Sequence, residues 1–178
     1  MTHSPFYYAP GFLIWHSTDL LHWEPVCRAL PEYEGSAMAP DLLKYQGRYY
    51  IYYPTSTGEN YVIYADNIRG PWSKPVKLDV RGIDPGHVVG EDGKRYLFTN
   101  NGWITPLSDD GLKVTGKSRK VYDGWEYPAN WVTEGKDMYL ESPKLLYKDG
   151  YYYMMSAEGG TAGPVSYTHL TLPTNSLV

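Results

Sequence analysis

Two carboxylic acids stand at the same distance from a turn glycine in this 178-residue sequence. Asp84, in "GIDPGHVV", lies nine residues before Gly93, and Glu141, in "LESPKLLY", lies nine residues before Gly150. Two convergent acids can hydrolyse a glycosidic bond, because one donates a proton to the leaving oxygen while an ionised partner activates water or attacks. A nearby negative charge also raises the pKa of the proton donor. The alternative is that each acid only caps a turn beside its proline.

A repeated pattern indicates which elements position these acids. Three segments share a polar turn with a glycine followed by an aromatic-rich strand, which predicts a β-hairpin each time. The turn glycines Gly47, Gly93 and Gly150 recur at intervals typical of β-propeller blades, each a four-stranded antiparallel sheet. Since the first strand of each blade lines the central channel, equivalent positions from different blades converge there. The three segments are "KYQGRYYIYYPT" (44–55), "GEDGKRYLFTNN" (90–101) and "YKDGYYYMMSAE" (147–158).

The composition supports an all-β fold and excludes some classes of partner. The 19 tyrosines and 6 tryptophans favour strands, and the 14 prolines and 18 glycines interrupt the chain too often for long helices. The net charge of −4 predicts no nucleic-acid partner. No apolar run approaches the ~20 residues of a membrane-spanning helix, so we expect no membrane partner. The one cysteine, Cys27, excludes an internal disulfide and suggests no metal site.

Five segments in order resemble glycoside hydrolase family 43, the five-bladed β-propeller enzymes that include β-xylosidases, α-L-arabinofuranosidases and arabinanases. The resemblance implies an all-β, partial five-bladed propeller with an incomplete first blade, two fuller blades and the start of a fourth. The segments are "GFLIWHSTDLLHWEPV" (11–26), "APDLLKYQGRYYIYY" (39–53), "ADNIRGPWSKPVKL" (65–78), "GIDPGHVVGEDGKRYLF" (82–98) and "ESPKLLYKDGYYYMMSAEGGT" (141–161).

The resemblance also implies roles for individual residues. Glu141 would be the general acid, and Asp84 would raise the pKa of that acid and orient it. Asp41, in the "APD" segment, would support the substrate site or the structure rather than catalyse. The family inverts configuration and needs no cofactor for bond cleavage, so we expect no cofactor and no metal. His87 departs from the family pattern, and a structural role is the expectation, with a ligand to a channel cation as the alternative.

Aromatic side chains are the candidates for sugar binding, because an aromatic face stacks on a pyranose or furanose ring. Phe6 lies where the family builds its sugar subsite and is the foremost candidate. Trp15 and Trp103 are further candidates, with packing inside or between blades as the alternative for both. The segment "GWEYPANW" (124–131) resembles a loop of the outer subsite.

Both ends of the chain depart from the family. The family's general base is an aspartate about a dozen residues before the segment matched by "MTHSPFYYAPG", so the base is absent from this chain. The segment "VSYTHLTLPT" (165–174) resembles the translation of a transposon-end sequencing adapter. We therefore expect a catalytic portion over 1–164 and a non-native tail over 165–178, with a divergent strand as the alternative reading of the tail.

The expected function follows from these assignments. We expect the full-length parent of this chain to be a glycosidase that hydrolyses xylose- or arabinose-containing plant polysaccharides or oligosaccharides with inversion. The chain by itself is expected to be inactive and poorly soluble. Two alternatives are a noncatalytic carbohydrate-binding propeller and a protein-interaction scaffold. The sequence leaves the cellular location open.

Overall fold

The computed structural model describes residues 1–33, 35–124 and 140–158, and the backbone of 166–172. The described residues form β-strands and one short 3₁₀ helix. The chain divides into two compact units, Met1–Asp79 and Val80–Val178. Each unit is built from antiparallel sheets whose strands follow one another in sequence order.

The first unit holds two sheets, and a cluster of buried apolar residues connects them. Its two-stranded sheet joins β1 to β2, and its four-stranded sheet has the order β3–β4–β5–β6. The centre of β4 is buried on both faces, and its tyrosines Tyr52 and Tyr53 are fully buried. The Phe12 ring of β1 packs edge-on against Tyr53, with ring centroids 4.8 Å apart. The strands are β1 (Gly11–His16), β2 (Glu24–Leu30), β3 (Asp41–Tyr45), β4 (Arg48–Pro54), β5 (Asn60–Ala65) and β6 (Val76–Leu78).

The second unit carries both predicted catalytic acids. Its four-stranded sheet has the order β7–β8–β9–β10, with the 3₁₀ helix (Asn100–Gly102) between β8 and β9. Its other sheet has the order β11–β12–β13. The strands are β7 (Gly86–Val89), β8 (Arg95–Thr99), β9 (Trp103–Leu107), β10 (Arg119–Lys120), β11 (Glu141–Lys148), β12 (Tyr151–Glu158) and β13 (Ser166–Leu172).

The predicted all-β class is confirmed. The four consecutive sheets match the predicted incomplete first blade, two fuller blades and start of a fourth. The described residues contain no helix that is both long enough and apolar enough to cross a membrane.

The three predicted hairpins are present, but their turns differ in length. Gln46–Gly47 and Asp149–Gly150 are two-residue turns in which both residues have positive φ, of 46° and 86° and of 53° and 83°. This geometry suits the twist of the flanking strands, and glycine adopts the second position without steric cost. The turn between β7 and β8 is longer: Val89 pairs with Arg95, and 90–94 lie beyond the strands, where the Gly90 amide donates to the Lys94 carbonyl at 2.9 Å.

The structure describes part of the predicted tail but only the first residue of the predicted outer loop. Within the tail, Ser166–Leu172 forms β13 and pairs antiparallel with β12, from Glu158 opposite Ser166 to Tyr152 opposite Leu172. The non-native origin of the tail stays a prediction. Most of the "GWEYPANW" segment, 125–131, lies outside the described residues.

Candidate functional site

Asp84 lies in a short loop that leads into β7, and its backbone is held in an uncommon conformation. Its φ is 59°, a left-handed value, although Pro85 follows it. A non-glycine residue keeps such a conformation only where its surroundings enforce it. Asn100, the first residue of the 3₁₀ helix, holds the residue before Asp84 in place. Its side-chain Oδ1 accepts from the Ile83 amide (2.9 Å), and its own amide donates to the Ile83 carbonyl (2.8 Å).

Glu141 is the first residue of β11 and is half-buried. It lies opposite Ala157 of β12, and its carbonyl accepts a hydrogen bond from Ser156 Oγ at 2.9 Å. The residue before it is anchored too, because the Asn101 amide donates to the Leu140 carbonyl at 2.8 Å. These hydrogen bonds to two successive carbonyl groups fix the start of β11 from two elements, β12 and the 3₁₀ helix.

The two acidic segments meet directly. Asp84 Oδ2 accepts a hydrogen bond from the backbone amide of Ser142, the residue after Glu141, at 3.2 Å. The Asp84 side chain is buried, with 8% of its surface exposed. A Cβ added to Gly86 would lie 1.9 Å from the Pro143 carbonyl oxygen, so the close approach of the two strands requires glycine there. The two segments that carry the predicted acids, far apart in sequence, are therefore in direct contact.

The structurally equivalent positions of the blades differ by one residue from those found by counting back from the turn glycines. Ala39, Asp84 and Ser142 all precede a proline and all have positive φ, of 42°, 59° and 48°. Asp84 thus corresponds to Ser142, and Glu141 lies one position earlier. The count from the turn glycine was misleading because the turn after β7 is longer than the other two. The offset explains why Asp84 contacts the amide that follows the acid.

The environment of Asp84 opposes its ionisation. Burial raises the pKa of the Asp84 carboxyl, while the hydrogen bond from the Ser142 amide and the positive charge of Lys144 lower it. The balance leaves the pKa of Asp84 above its ordinary value. Whenever Asp84 is ionised, its charge disfavours ionisation of a neighbouring carboxyl group and keeps that group a proton donor. The arrangement can therefore support a general acid at Glu141.

His87 is engaged in a hydrogen bond next to this loop. Arg95, which is 1% exposed, donates from Nε to His87 Nε2 at 3.0 Å and from a terminal nitrogen to the Asp109 carbonyl at 3.2 Å. Burial and the Arg95 charge lower the pKa of His87 to about 3, so the imidazole is neutral at physiological pH. These contacts favour the structural reading of His87. In the part of the chain that the structure describes, no three His, Cys, Asp or Glu residues are grouped to hold a metal ion.

Three of the predicted substrate-binding residues belong to the first unit. Phe6 is half exposed, at 50%, and its amide donates to the Ala37 carbonyl at 2.9 Å. Trp15 is half-buried in β1 and borders a cavity of about 410 Å³. Asp41 is the half-buried first residue of β3 and lies opposite Tyr52. Their roles in substrate binding stay predictions.

Trp103, the fourth candidate, lies in the second unit at the start of β9. It is half-buried, and the guanidinium carbon of Arg81 lies 3.9 Å from the centre of its ring. This is a cation–π contact, which occupies one face of the indole. The contact supports the packing alternative for Trp103, and a stacked sugar would have to use the opposite face.

Sequence reasoning missed the groups that hold the acids in place. The anchors Asn100 and Asn101 carried no motif, and the role of the Ser142 amide depends on backbone geometry alone. Gly86 did carry a signal, because a glycine inside a strand often marks a close approach by another backbone. The Arg95–His87 pair carried no such signal in the sequence, because a basic residue beside a turn usually faces solvent.

Antiparallel sheets in sequence order, with the acidic segment before β7 bonded to the acidic segment at the start of β11, are the arrangement of part of a β-propeller. The family model for glycosyl hydrolases family 43 matches residues 1–177, and the chain belongs to that family. The match includes all but the last residue of the predicted tail.

Curated relatives and solved structures agree with the family. The chain is 31% identical to a xylosidase/arabinosidase from Butyrivibrio fibrisolvens, over 89% of this chain and 34% of the relative. It is 34% identical to a xylan 1,3-beta-xylosidase from a Vibrio species, with the same coverage of both chains. The crystal structure of the GH43 BlXynB protein from Bacillus licheniformis has a TM-score of 0.78 and 32% identity, over 98% of this chain and 39% of that one. The chain spans about a third of the length of the curated relatives it matches.

Proposed function

We propose that the full-length parent, meaning the protein that continues this chain to the length of its relatives, is an inverting glycosidase. Its substrates would be xylose- or arabinose-containing polysaccharides or oligosaccharides of plant origin. The observation that carries the proposal is the buried Asp84 carboxylate bonded to the amide after Glu141 in a family 43 chain. The names of the relatives, which include xylosidases and an alpha-L-arabinofuranosidase, support the substrate class.

Glu141 acts as the general acid in the proposed reaction. Its carboxyl group protonates the glycosidic oxygen as the bond to the anomeric carbon breaks, and the leaving group departs as a neutral alcohol. Half-burial at the start of β11 leaves part of the group accessible, while hydrogen bonds from the Ser156 hydroxyl and the Asn101 amide hold its strand in position. No cofactor takes part in this step.

Asp84 prepares the acid without touching the leaving group. Its negative charge favours the protonated form of Glu141, and its hydrogen bond to the Ser142 amide fixes the backbone that presents the acid. Inversion also requires a base that activates a water on the opposite face of the sugar, with the two carboxyl groups about 6.5–9.5 Å apart. By the family resemblance this base would be an aspartate, and the parent would supply it.

Substitution of Glu141 by glutamine in the parent tests the acid assignment. Glutamine keeps the shape of the side chain but cannot donate the proton. For a substrate with a poor leaving group, such as a xylo- or arabino-oligosaccharide, we expect kcat/KM to fall by about 100-fold to 10,000-fold. For an activated aryl glycoside the loss should be much smaller, because its leaving group departs without protonation. Steady-state kinetics on both substrates measure the difference.

Glu91→Gln is the matched control, because Glu91 is exposed in the turn after β7 and should tolerate the same change without loss on either substrate. Equal losses on both substrates in Glu141→Gln would contradict the acid assignment. A wild-type parent that binds the oligosaccharides but hydrolyses neither substrate would instead support a noncatalytic carbohydrate-binding propeller.

A further inference from the structure

A half-buried lysine, Lys144, links the same two segments that carry the acids. It lies on β11, three residues after Glu141. Its Nζ donates a hydrogen bond of 2.8 Å to the carbonyl of Pro85, the residue after Asp84. The sequence reasoning assigned this lysine no role, and the proposed reaction does not use it as an acid or a base.

The bond from Lys144 closes a ring of contacts between two short segments. In one direction the Ser142 amide donates to the Asp84 carboxylate, and in the other Lys144 donates to the Pro85 carbonyl. Between these bonds the backbone of Gly86 lies against the Pro143 carbonyl. Each segment therefore holds the other at two points, one on either side of a tight backbone contact.

Both segments need such support because both contain strained backbone. Asp84 and Ser142 have left-handed φ values of 59° and 48° directly before a proline. Conformations of this kind persist only when surrounding contacts enforce them, and they would otherwise relax. A charge-assisted bond from an ammonium group is stronger than a neutral one, so Lys144 is well suited to enforce the turn at Asp84 and Pro85.

The charge of Lys144 has a second consequence at the same place. Asp84 is buried, and burial works against its ionised form, while the positive charge of Lys144 works in favour of that form. Lys144 therefore supports both the position of the Asp84 carboxylate and its negative charge.

We propose that Lys144 is a positioning residue for the glycosidase reaction: its bond to the Pro85 carbonyl fixes the turn that carries Asp84 and, through Asp84, the backbone of Glu141. The inference rests on the proposed function. It predicts that Lys144 influences the chemical step while making little difference to substrate affinity.

The test compares three variants of the full-length parent. Lys144→Met removes the donor and the charge but keeps much of the length and apolar stem. Lys144→Arg keeps a cationic donor. Lys148→Met makes the same change at an exposed lysine at the other end of β11. We expect Lys144→Met to lower kcat on an oligosaccharide by about 10-fold to 100-fold with little change in KM. Lys144→Arg should recover most of this loss, and Lys148→Met should match wild type.

A second measurement does not depend on activity. Hydrogen exchange of the Ser142 amide, followed by mass spectrometry with residue resolution, reports the bond to Asp84 directly. We expect faster exchange in Lys144→Met, approaching the rate in Asp84→Ala, and wild-type exchange in Lys148→Met. If Lys144→Met does not fold, Lys144→Gln, which removes the charge, takes its place, and Lys144→Arg remains the conservative comparison.

The two measurements separate the two proposals. Unchanged kcat in a Lys144→Met parent whose wild type is active would overturn the positioning role, whatever the exchange rate. Unchanged exchange of the Ser142 amide would overturn the structural basis of that role. A wild-type parent without hydrolase activity would contradict the proposed function, and the exchange result would still decide whether Lys144 holds the Asp84 turn.

Discussion

At the residue scale, the site depends on one carboxyl group whose burial opposes its ionisation. Asp84 is buried at 8% exposure, and burial raises its pKa, yet the proposed reaction uses its negative charge. The Ser142 amide and Lys144 offset part of that cost. Stability and catalysis therefore make opposite demands on the same side chain, as is common at functional sites.

The pH dependence of stability tests this conflict. Because the pKa of Asp84 is higher in the folded than in the unfolded chain, the folded state loses stability as the pH rises from the unfolded value through the folded one. Asparagine does not titrate there and can still accept from the Ser142 amide. We therefore expect Asp84→Asn to gain stability relative to wild type as the pH rises from about 3 to about 7.

Urea unfolding midpoints of the full-length parent and its variants measure this difference. Asp79→Asn, at an exposed aspartate in the first unit, is the matched control for the loss of one carboxyl group. A wild-type advantage that grows with pH would show that Asp84 is more easily ionised in the folded state, against the direction given by its burial.

At the element scale, the two acidic segments come together because β7 and β11 approach each other without an intervening side chain. Gly86 makes this approach possible, since its backbone lies against the Pro143 carbonyl. Further along the same two sheets, the Tyr152 hydroxyl donates to the Val89 carbonyl at 2.9 Å. The junction is thus supported at both ends of β7.

Gly86→Ala tests the junction. The added Cβ would lie 1.9 Å from a backbone oxygen, so the strands must separate. Overpacking of this kind costs about 1–3 kcal/mol of the free energy of unfolding, and more where the clashing atom belongs to the backbone. We expect this loss in urea unfolding of the parent, together with a loss of activity on oligosaccharides.

Gly93→Asn is the comparison for this variant. Gly93 has a left-handed φ of 74°, which asparagine tolerates, and an added side chain there meets open space. Its effect on stability and activity should be small. If Gly86→Ala were equally mild, the close approach of the two strands would not be what holds the acids together.

At the scale of the whole chain, the hairpin of β11 and β12 exposes large apolar side chains. Leu146, Tyr151 and Met155 lie on one face of the hairpin and are 59%, 48% and 56% exposed, and Tyr147, on the opposite face, is 54% exposed. Clustered apolar surface of this kind promotes association in water. It provides a physical basis for the expectation that the 178-residue chain by itself is poorly soluble.

We therefore expect the isolated 178-residue chain to self-associate, and Leu146→Lys combined with Met155→Lys to reduce the association. Light scattering after size-exclusion chromatography measures the mass of the species. The control combines Leu20→Lys with Leu21→Lys, which lie exposed in the turn between β1 and β2 and offer no strand face to a partner. A monodisperse wild-type chain, or equal relief by the control, would contradict this explanation.

The all-β class, the three hairpins and the two acids could be predicted from the sequence. Aromatic strands next to glycine turns are local patterns, and the tight turns at Gln46–Gly47 and Asp149–Gly150 follow from the residues that occupy them. The equivalence of Asp84 with Glu141 was wrong by one residue, because the length of the turn after β7 is not apparent from its glycine.

By itself, then, the sequence determined the elements and the family, and it predicted the two acids, since these depend on residue types and short-range spacing. The tertiary structure alone decided how the acids are held. The Ser142 amide reaches Asp84 across 58 positions, and Lys144 reaches Pro85 across 59. Such contacts depend on where two sheets place their backbone groups, and a backbone amide or carbonyl has no side-chain signature by which the sequence could announce it.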